Sequence, residues 1–423
     1  MIDSLEGTQH NKWKEISAEV EKASNRIKEV VFKTAFEKNA YLSDRFKANI
    51  YLKREDQQVV RSFKIRGAYN KMSQLSLEER KRGVVCSSAG NHAQGFALAC
   101  QKLGISGIIY MPTPTPTQKI NKVKKFGQEF IEVRLVGDTY DDAYAKAHEE
   151  CIMRNAVFIH PFNDYDVIAG QGTVAVEMLA EQKNLDYVLI AVGGGGLLSG
   201  VSSYFKTNSP QTKIIAVEAK GAPSFHTSLK KGHATSLSSI DTFADGIAVK
   251  QMGDLCFELC RDAVSDSLLV SEGKICSTIL DLYNEEAIVV EPAGAVSVAA
   301  LEQLDDIEGK KIGVVICGGN NDINRTQEIK ERALLFEGKK HYFLIRFPQR
   351  AGALREFLES LGPNDDITHF EYTKKTNRTS GPALVGLELN DAKDFDDLIK
   401  RFAQNGINHQ HLNNNPMLFE MLV

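Results

Sequence analysis

Eight short apolar runs, most of them separated by stretches that read as helices, constrain this chain more than any other feature. They are Ile50–Leu52, Gly83–Val85, Gly107–Met111, Phe130–Val133, Ala156–Ile159, Tyr187–Val192, Ile214–Val217 and Ile312–Ile316. A strand with one wet face alternates apolar and polar residues, whereas a strand covered on both faces is apolar almost throughout. These runs are of the second kind. Alternating with helices, they predict an α/β architecture of parallel sheets covered on both sides. Residues 15 to 36 read as an amphipathic helix, with Val20, Ala23, Ile27, Val30 and Val31 on one face. The alternating prolines and threonines of Pro112–Thr117 read as a stiff extended loop.

The pattern changes near residues 331–340. Beyond it come a strand (Tyr342–Phe347), a helix (Gly352–Ser360), two strands (Ile367–Tyr372 and Ala383–Leu389), a helix (Asp394–Gln404) and a strand (His409–Leu412). That βαββαβ order is the signature of a ferredoxin-like α+β domain. The expected organisation is a domain over 1–330, a linker over 331–340 and a second domain over 341–423. A chain of 423 residues has room for both.

The formal net charge of -4 and the absence of a long Lys/Arg run give no reason to expect a nucleic-acid partner. No apolar run approaches the ~20 residues of a membrane span. The polar N-terminus does not read as a secretory signal. Seven scattered cysteines without a CxxC pair suit reduced thiols. A cytoplasmic protein is the expectation.

Three segments carry candidate chemistry. The run Tyr187–Val192 leads into Gly193-Gly194-Gly195-Gly196 and then a helix-compatible stretch. Consecutive glycines let backbone N–H groups close on an anion at a helix N-terminus, which suits a phosphate. The run matches no GxGxxG register and lacks the Lys and Ser/Thr of a P-loop, so neither a dinucleotide nor a nucleoside triphosphate is indicated. Lys64, in Ser62-Phe63-Lys64-Ile65-Arg66-Gly67-Ala68, is of the type that condenses with an aldehyde cofactor, although taken alone it reads far more readily as a surface lysine. Ser88-Ala89-Gly90-Asn91-His92 follows a predicted strand and precedes an Ala-rich helix. It reads either as a carboxylate nest or as a helix cap.

Together, and in this order, these segments resemble the fold-type II pyridoxal-phosphate enzymes, most closely the threonine dehydratases (threonine ammonia-lyases). Ile168-Ala169-Gly170-Gln171-Gly172-Thr173 and Glu291-Pro292-Ala293-Gly294-Ala295 agree as well, and the resemblance spans about residues 20 to 325. It implies pyridoxal 5'-phosphate as cofactor, with Lys64 forming the internal aldimine and then taking the α-proton. It implies that Phe63 packs near the pyridine ring and that Asn91 bonds the ring's 3-oxygen. Gly193 to Gly196 with the Leu197 amide would bind the phosphate, and Ser88, Ala89, Gly90, Asn91 and His92 the substrate carboxylate. Cys317 stands where serine is commoner, facing the ring nitrogen. A neutral thiol there does not hold a proton as an aspartate would, which favours β-elimination over racemisation or transamination.

The same resemblance implies L-threonine as substrate, 2-oxobutanoate and ammonia as products, and a homotetramer. Some relatives bind a divalent ion through Glu-x-x-x-Ala-x-Asp. Here Glu218 and Ala222 fit, but Ser224 stands in place of the Asp, so no metal is expected. The C-terminal domain resembles the ACT-like regulatory module of biosynthetic dehydratases, through Pro348-Gln349-Arg350-Ala351-Gly352-Ala353-Leu354. It implies isoleucine or valine as effector and a place at the first committed step of isoleucine biosynthesis. A serine/threonine dehydratase or serine racemase of the same fold, or a non-catalytic amino-acid-binding regulator, stands as the alternative.

Overall fold

The computed structural model of the chain describes residues 2–372 and 379–422. It divides into two units, Met1–Asp322 and Ile323–Val423. Residues 331–340, expected as a linker, fall in the helix Thr326–Phe336, in the turn after it and in the first residue of the following strand.

The first unit holds two sheets. Its strands are β1 (Phe36–Lys38), β2 (Asn49–Arg54), β3 (Val84–Ser87), β4 (Gly107–Met111), β5 (Ile131–Leu135), β6 (Val157–Phe158), β7 (Tyr187–Ala191), β8 (Lys213–Ala219), β9 (Asp266–Val270) and β10 (Lys311–Ile316). The larger sheet has the order β1-β2-β10-β7-β8-β9, and the smaller β5-β4-β3-β6. Every pairing in them is parallel except β1 with β2. The eight apolar runs all become strands. β1 and β9 were not among them. Both lie at sheet edges, and their residues are partly exposed, so neither is continuously apolar.

The N-terminal helix runs from Ile2 to Ile27 rather than over 15–36. Its polar first half is held by specific bonds instead of an apolar stripe: the Trp13 indole donates to Leu259 O at 3.0 Å, and Gln9 donates to Glu258 O at 2.7 Å. After Ile27 the chain turns and becomes extended, because Phe36–Lys38 must pair with β2.

The parallel sheets decide where a site can lie. In such sheets ligands sit outside the carboxyl ends of the strands. The segments singled out above follow those ends: 88–92 follows β3, 193–197 follows β7, Cys317 follows β10, and Lys64 follows β2 after a short helical turn. The helix Tyr165–Glu181 sets the spacing behind them. A Cβ on Gly170 would lie 2.5 Å from Arg66 O, and one on Gly200 would lie 2.3 Å from Ile168 O. The glycines therefore let this helix touch both the lysine helix Lys64–Ser73 and the helix Gly196–Asn208. This gives a packing reason for the 168–173 segment.

The second unit contains β11 (Lys340–Pro348), β12 (Asp366–Tyr372), β13 (Ser380–Glu388) and β14 (His409–His411) in the order β12-β13-β11-β14, all antiparallel. Helices Ala353–Glu359 and Asp394–Gln404 complete the βαββαβ chain order. Phe343, Phe357, Leu398 and Phe402 are fully buried between them.

Candidate active site

Lys64 opens its helix and lies beside the strand end of β10. Two contacts fix that register: an isolated bridge joins Ser62 to Gly318, and Phe63 N donates to Cys317 O at 3.2 Å. The Lys64 amine donates to Pro161 O at 2.9 Å and lies 5.2 Å from the centre of the Phe63 ring. Part of the side chain reaches solvent, but protein surrounds the amine. That burial disfavours the ammonium and outweighs the opposing influence of Cys317, Cys256 and Glu291, lowering the pKa to about 8. The amine thus has the desolvation that a carbonyl-condensing lysine requires.

The glycine loop closes the other end of the site. Gly195 caps the helix Gly196–Asn208 with φ of 93°, a left-handed value. A Cβ on Gly194 would lie 2.1 Å from the Phe162 ring, and one on Gly193 would lie 2.8 Å from the backbone of Ile247. Only glycine leaves the backbone N–H groups accessible in so tight a cradle. Leu197 is buried in the first turn of the helix.

A chain of buried polar groups occupies the third side. The Asn91 amide donates to Glu291 Oε1 at 2.6 Å, and its oxygen accepts from Asn320 Nδ2 at 2.7 Å. Asn320 Nδ2 also donates to Val60 O at 2.8 Å. Burial, with Asp245 adding to it, pushes the Glu291 carboxyl up to about 7. The Cys317 thiol donates to Ala293 O at 3.1 Å, and burial, followed by the nearby Glu291, holds it protonated. In the sequence Glu291 is only one member of the Glu291-Pro292-Ala293-Gly294-Ala295 motif. Its proximity to Asn91 became visible only when the fold joined residues 200 positions apart.

The remaining candidates occupy distinct environments. Ser88 Oγ accepts from Gly90 N at 3.2 Å, shaping the entry to the helix Asn91–Leu103. The His92 ring is buried, with Nε2 2.9 Å from Ile159 O. Burial depresses its pKa to about 3, so the ring is neutral and Nε2 is the donor. Glu218 accepts from Phe225 N and His226 N, both at 2.8 Å, so its carboxylate caps the helix Ser224–Lys231. All seven cysteines are free and buried. No helix of the described residues is long and apolar enough to cross a membrane.

These residues fit pyridoxal phosphate: a desolvated amine and a glycine cradle that side chains would fill stand at two ends of one site. The fold and site define a fold-type II pyridoxal-phosphate enzyme. Residues 27–318 match the family described as pyridoxal-phosphate dependent enzyme, and the chain belongs to that family. Residues 331–422 match the C-terminal regulatory domain of threonine dehydratase. The chain is 56% identical over 405 residues to the biosynthetic L-threonine dehydratase IlvA of Bacillus subtilis, covering 95% of this chain and 96% of the relative. Among solved structures it resembles the processed form of threonine deaminase isoform 2 from Solanum lycopersicum. That match has a TM-score of 0.73 and 40% identity, and covers 76% of this chain and 94% of the other. Maize serine racemase matches at a TM-score of 0.70 and 32% identity, covering 74% and 95%.

The depressed pKa of Lys64 has a direct consequence. At pH 7 about one Lys64 amine in ten is unprotonated, against fewer than about one in a thousand for a solvated lysine. In cofactor-free protein, an amine-directed reagent followed by peptide mass spectrometry is expected to label Lys64 with a midpoint near pH 8, below the ordinary lysine value of 10.5. A Lys64 midpoint alongside the surface lysines contradicts the desolvated site.

Proposed function

We propose that the chain deaminates L-threonine by β-elimination, releasing 2-oxobutanoate and ammonia, as the first committed step of isoleucine biosynthesis. The observation that carries this reading is the Lys64 amine, bonded to Pro161 O and desolvated in the same site as the glycine loop. Likeness to threonine dehydratases over nearly the whole chain supports the substrate. Pyridoxal phosphate, when bound, supplies an aldehyde for the amino group and a ring that withdraws electrons from the α-carbon.

The chain's own groups do the rest. Lys64 anchors the cofactor and then, as a free amine, takes the α-proton. Its low pKa keeps a base available near neutral pH. The N–H groups of Gly193 to Gly196 and Leu197 hold the phosphate. Asn91, locked by Glu291 and Asn320, presents its remaining amide N–H to the ring's 3-oxygen. Phe63 would pack beside the cofactor ring, and Cys317, a neutral thiol whose hydrogen goes to Ala293 O, would leave the ring nitrogen without a full proton. Ser88 to His92 hold the substrate carboxylate. His92 contributes through its main chain, because its neutral ring is committed to Ile159 O.

The second unit makes the enzyme a regulated one. It binds isoleucine or valine, and the chain works as a cytoplasmic homotetramer. Maize serine racemase is covered to 95% of its length by 74% of this chain, so the additional regulatory domain favours threonine deamination.

Two assays test this. With threonine, purified holoenzyme is expected to release 2-oxobutanoate, and Lys64→Ala to lose at least about 10³-fold in kcat, as expected when a covalent base is removed. Turnover surviving in Lys64→Ala contradicts the assignment. In calorimetry with full-length protein, isoleucine or valine is expected to bind and to alter threonine kinetics. Neither binding nor a kinetic effect removes the sensor role.

A further inference from the structure

The amine of Lys64 is aimed by a residue that the reading above leaves unused. Its acceptor, Pro161 O, belongs to a turn over residues 160–163 that follows β6. Inside that turn His160 Nδ1 accepts two backbone N–H groups, from Phe162 at 3.2 Å and from Asn163 at 2.8 Å. A nitrogen accepting two N–H groups is unprotonated, so the ring hydrogen sits on Nε2. The ring is wedged among aromatics, with its centre 4.6 Å from that of Phe162 and 6.0 Å from that of Phe158. Accepting from residues two and three ahead is what an Asn or Asp side chain does in an Asx turn. Here a histidine does it.

The same turn reaches the glycine loop. The Phe162 ring occupies the space that a Cβ on Gly194 would need. Asn163 Oδ1 accepts from Leu255 N at 3.1 Å, and Gly253 N, close by, donates to Gly194 O at 3.1 Å. One four-residue turn therefore touches the lysine amine and the anion cradle. Pro161 fixes one backbone angle of the turn and has no N–H of its own, so the turn depends on the two N–H groups that His160 captures.

We propose that His160 is a positioning residue for Lys64: by capping the turn 160–163 it points the Pro161 carbonyl at the amine and seats Phe162 against the glycine loop. Held by this acceptor, the free amine would stay in place to take the α-proton. The inference rests on the reading of Lys64 as the cofactor-binding lysine.

The test compares His160→Leu, which fills the space without an acceptor, with His160→Asn, whose amide oxygen can accept both N–H groups. Each is prepared full length. The readouts are the rate at which cofactor-free protein takes up pyridoxal phosphate, followed by visible absorbance, and kcat and KM for threonine. For His160→Leu both the uptake rate and kcat are expected to fall about tenfold or more, with KM within about threefold of the parent. His160→Asn is expected to recover both to within about threefold. If His160→Leu does not fold, His160→Gln, whose longer side chain carries the amide past the turn, takes its place with the same expected losses. Uptake and kcat within about twofold of the parent in the Leu or Gln variant overturn the proposal. So does a His160→Asn protein with parental thermal stability that is as impaired as His160→Leu. Parent protein that takes up no pyridoxal phosphate overturns the reading of Lys64 instead.

Discussion

Two residues after Lys64, the Arg66 guanidinium is completely buried and binds two carboxylates at once. It donates to both oxygens of Glu55 at 2.7 and 2.8 Å, and to both oxygens of Glu177 at 2.7 and 2.9 Å. Lys53, equally buried, bonds Glu177 and Thr34 O. Two cations and two anions balance, with Arg66, Lys53 and Glu55 buried and Glu177 partly exposed at the edge. Burial alone would raise the Glu55 pKa, but Arg66 overrides it and holds the carboxylate ionised. Such a cluster contributes little net stability over an apolar core, yet loss of one member leaves a charge stranded at a cost of about 3–5 kcal/mol. Its value here is geometric. It ties β2, the lysine helix and the helix Tyr165–Glu181 into one arrangement, so the direction in which Lys64 leaves its helix is set from behind.

The front of the site depends on that frame. Because the helix Tyr165–Glu181 also lies against the helix that follows the glycine loop, the separation of amine and cradle follows from backbone contacts at glycines rather than from adjustable side chains. The polar chain Glu291–Asn91–Asn320 closes the remaining side, committing the Asn91 amide oxygen and one of its two N–H groups. Lys64, the glycine loop and Asn91 thus follow strands of two different sheets and lie beyond their carboxyl ends.

Much of this was legible in the chain. Apolar runs marked eight of the ten strands of the first unit; they missed β1, whose three residues include Glu37 and Lys38, and β9, which opens on the exposed Asp266. The βαββαβ order of the second unit was readable because its strands and helices are local and separated by clear breaks. Motifs in the right order pointed to Lys64, Asn91, Cys317 and the glycine loop. What stayed hidden was whatever depends on sheet order. β10 lies between β2 and β7, and this brings Cys317 to the backbone of Phe63. Nothing in the local composition of either segment announces it. For the same reason Lys64, taken alone, reads as a surface residue, since desolvation belongs to the surroundings and not to the lysine. Arg66 and His160 passed as ordinary polar residues because their partners lie up to 111 positions away or in the main chain.

The central claim is that the Lys64 amine is the covalent anchor of the cofactor. It is tested most directly by reducing pyridoxal-phosphate-loaded protein with borohydride, digesting it and locating the modified lysine by mass spectrometry. A single stoichiometric modification on the peptide carrying Ser62-Phe63-Lys64 is the predicted result. Modification confined to other lysines, or none at all, contradicts it.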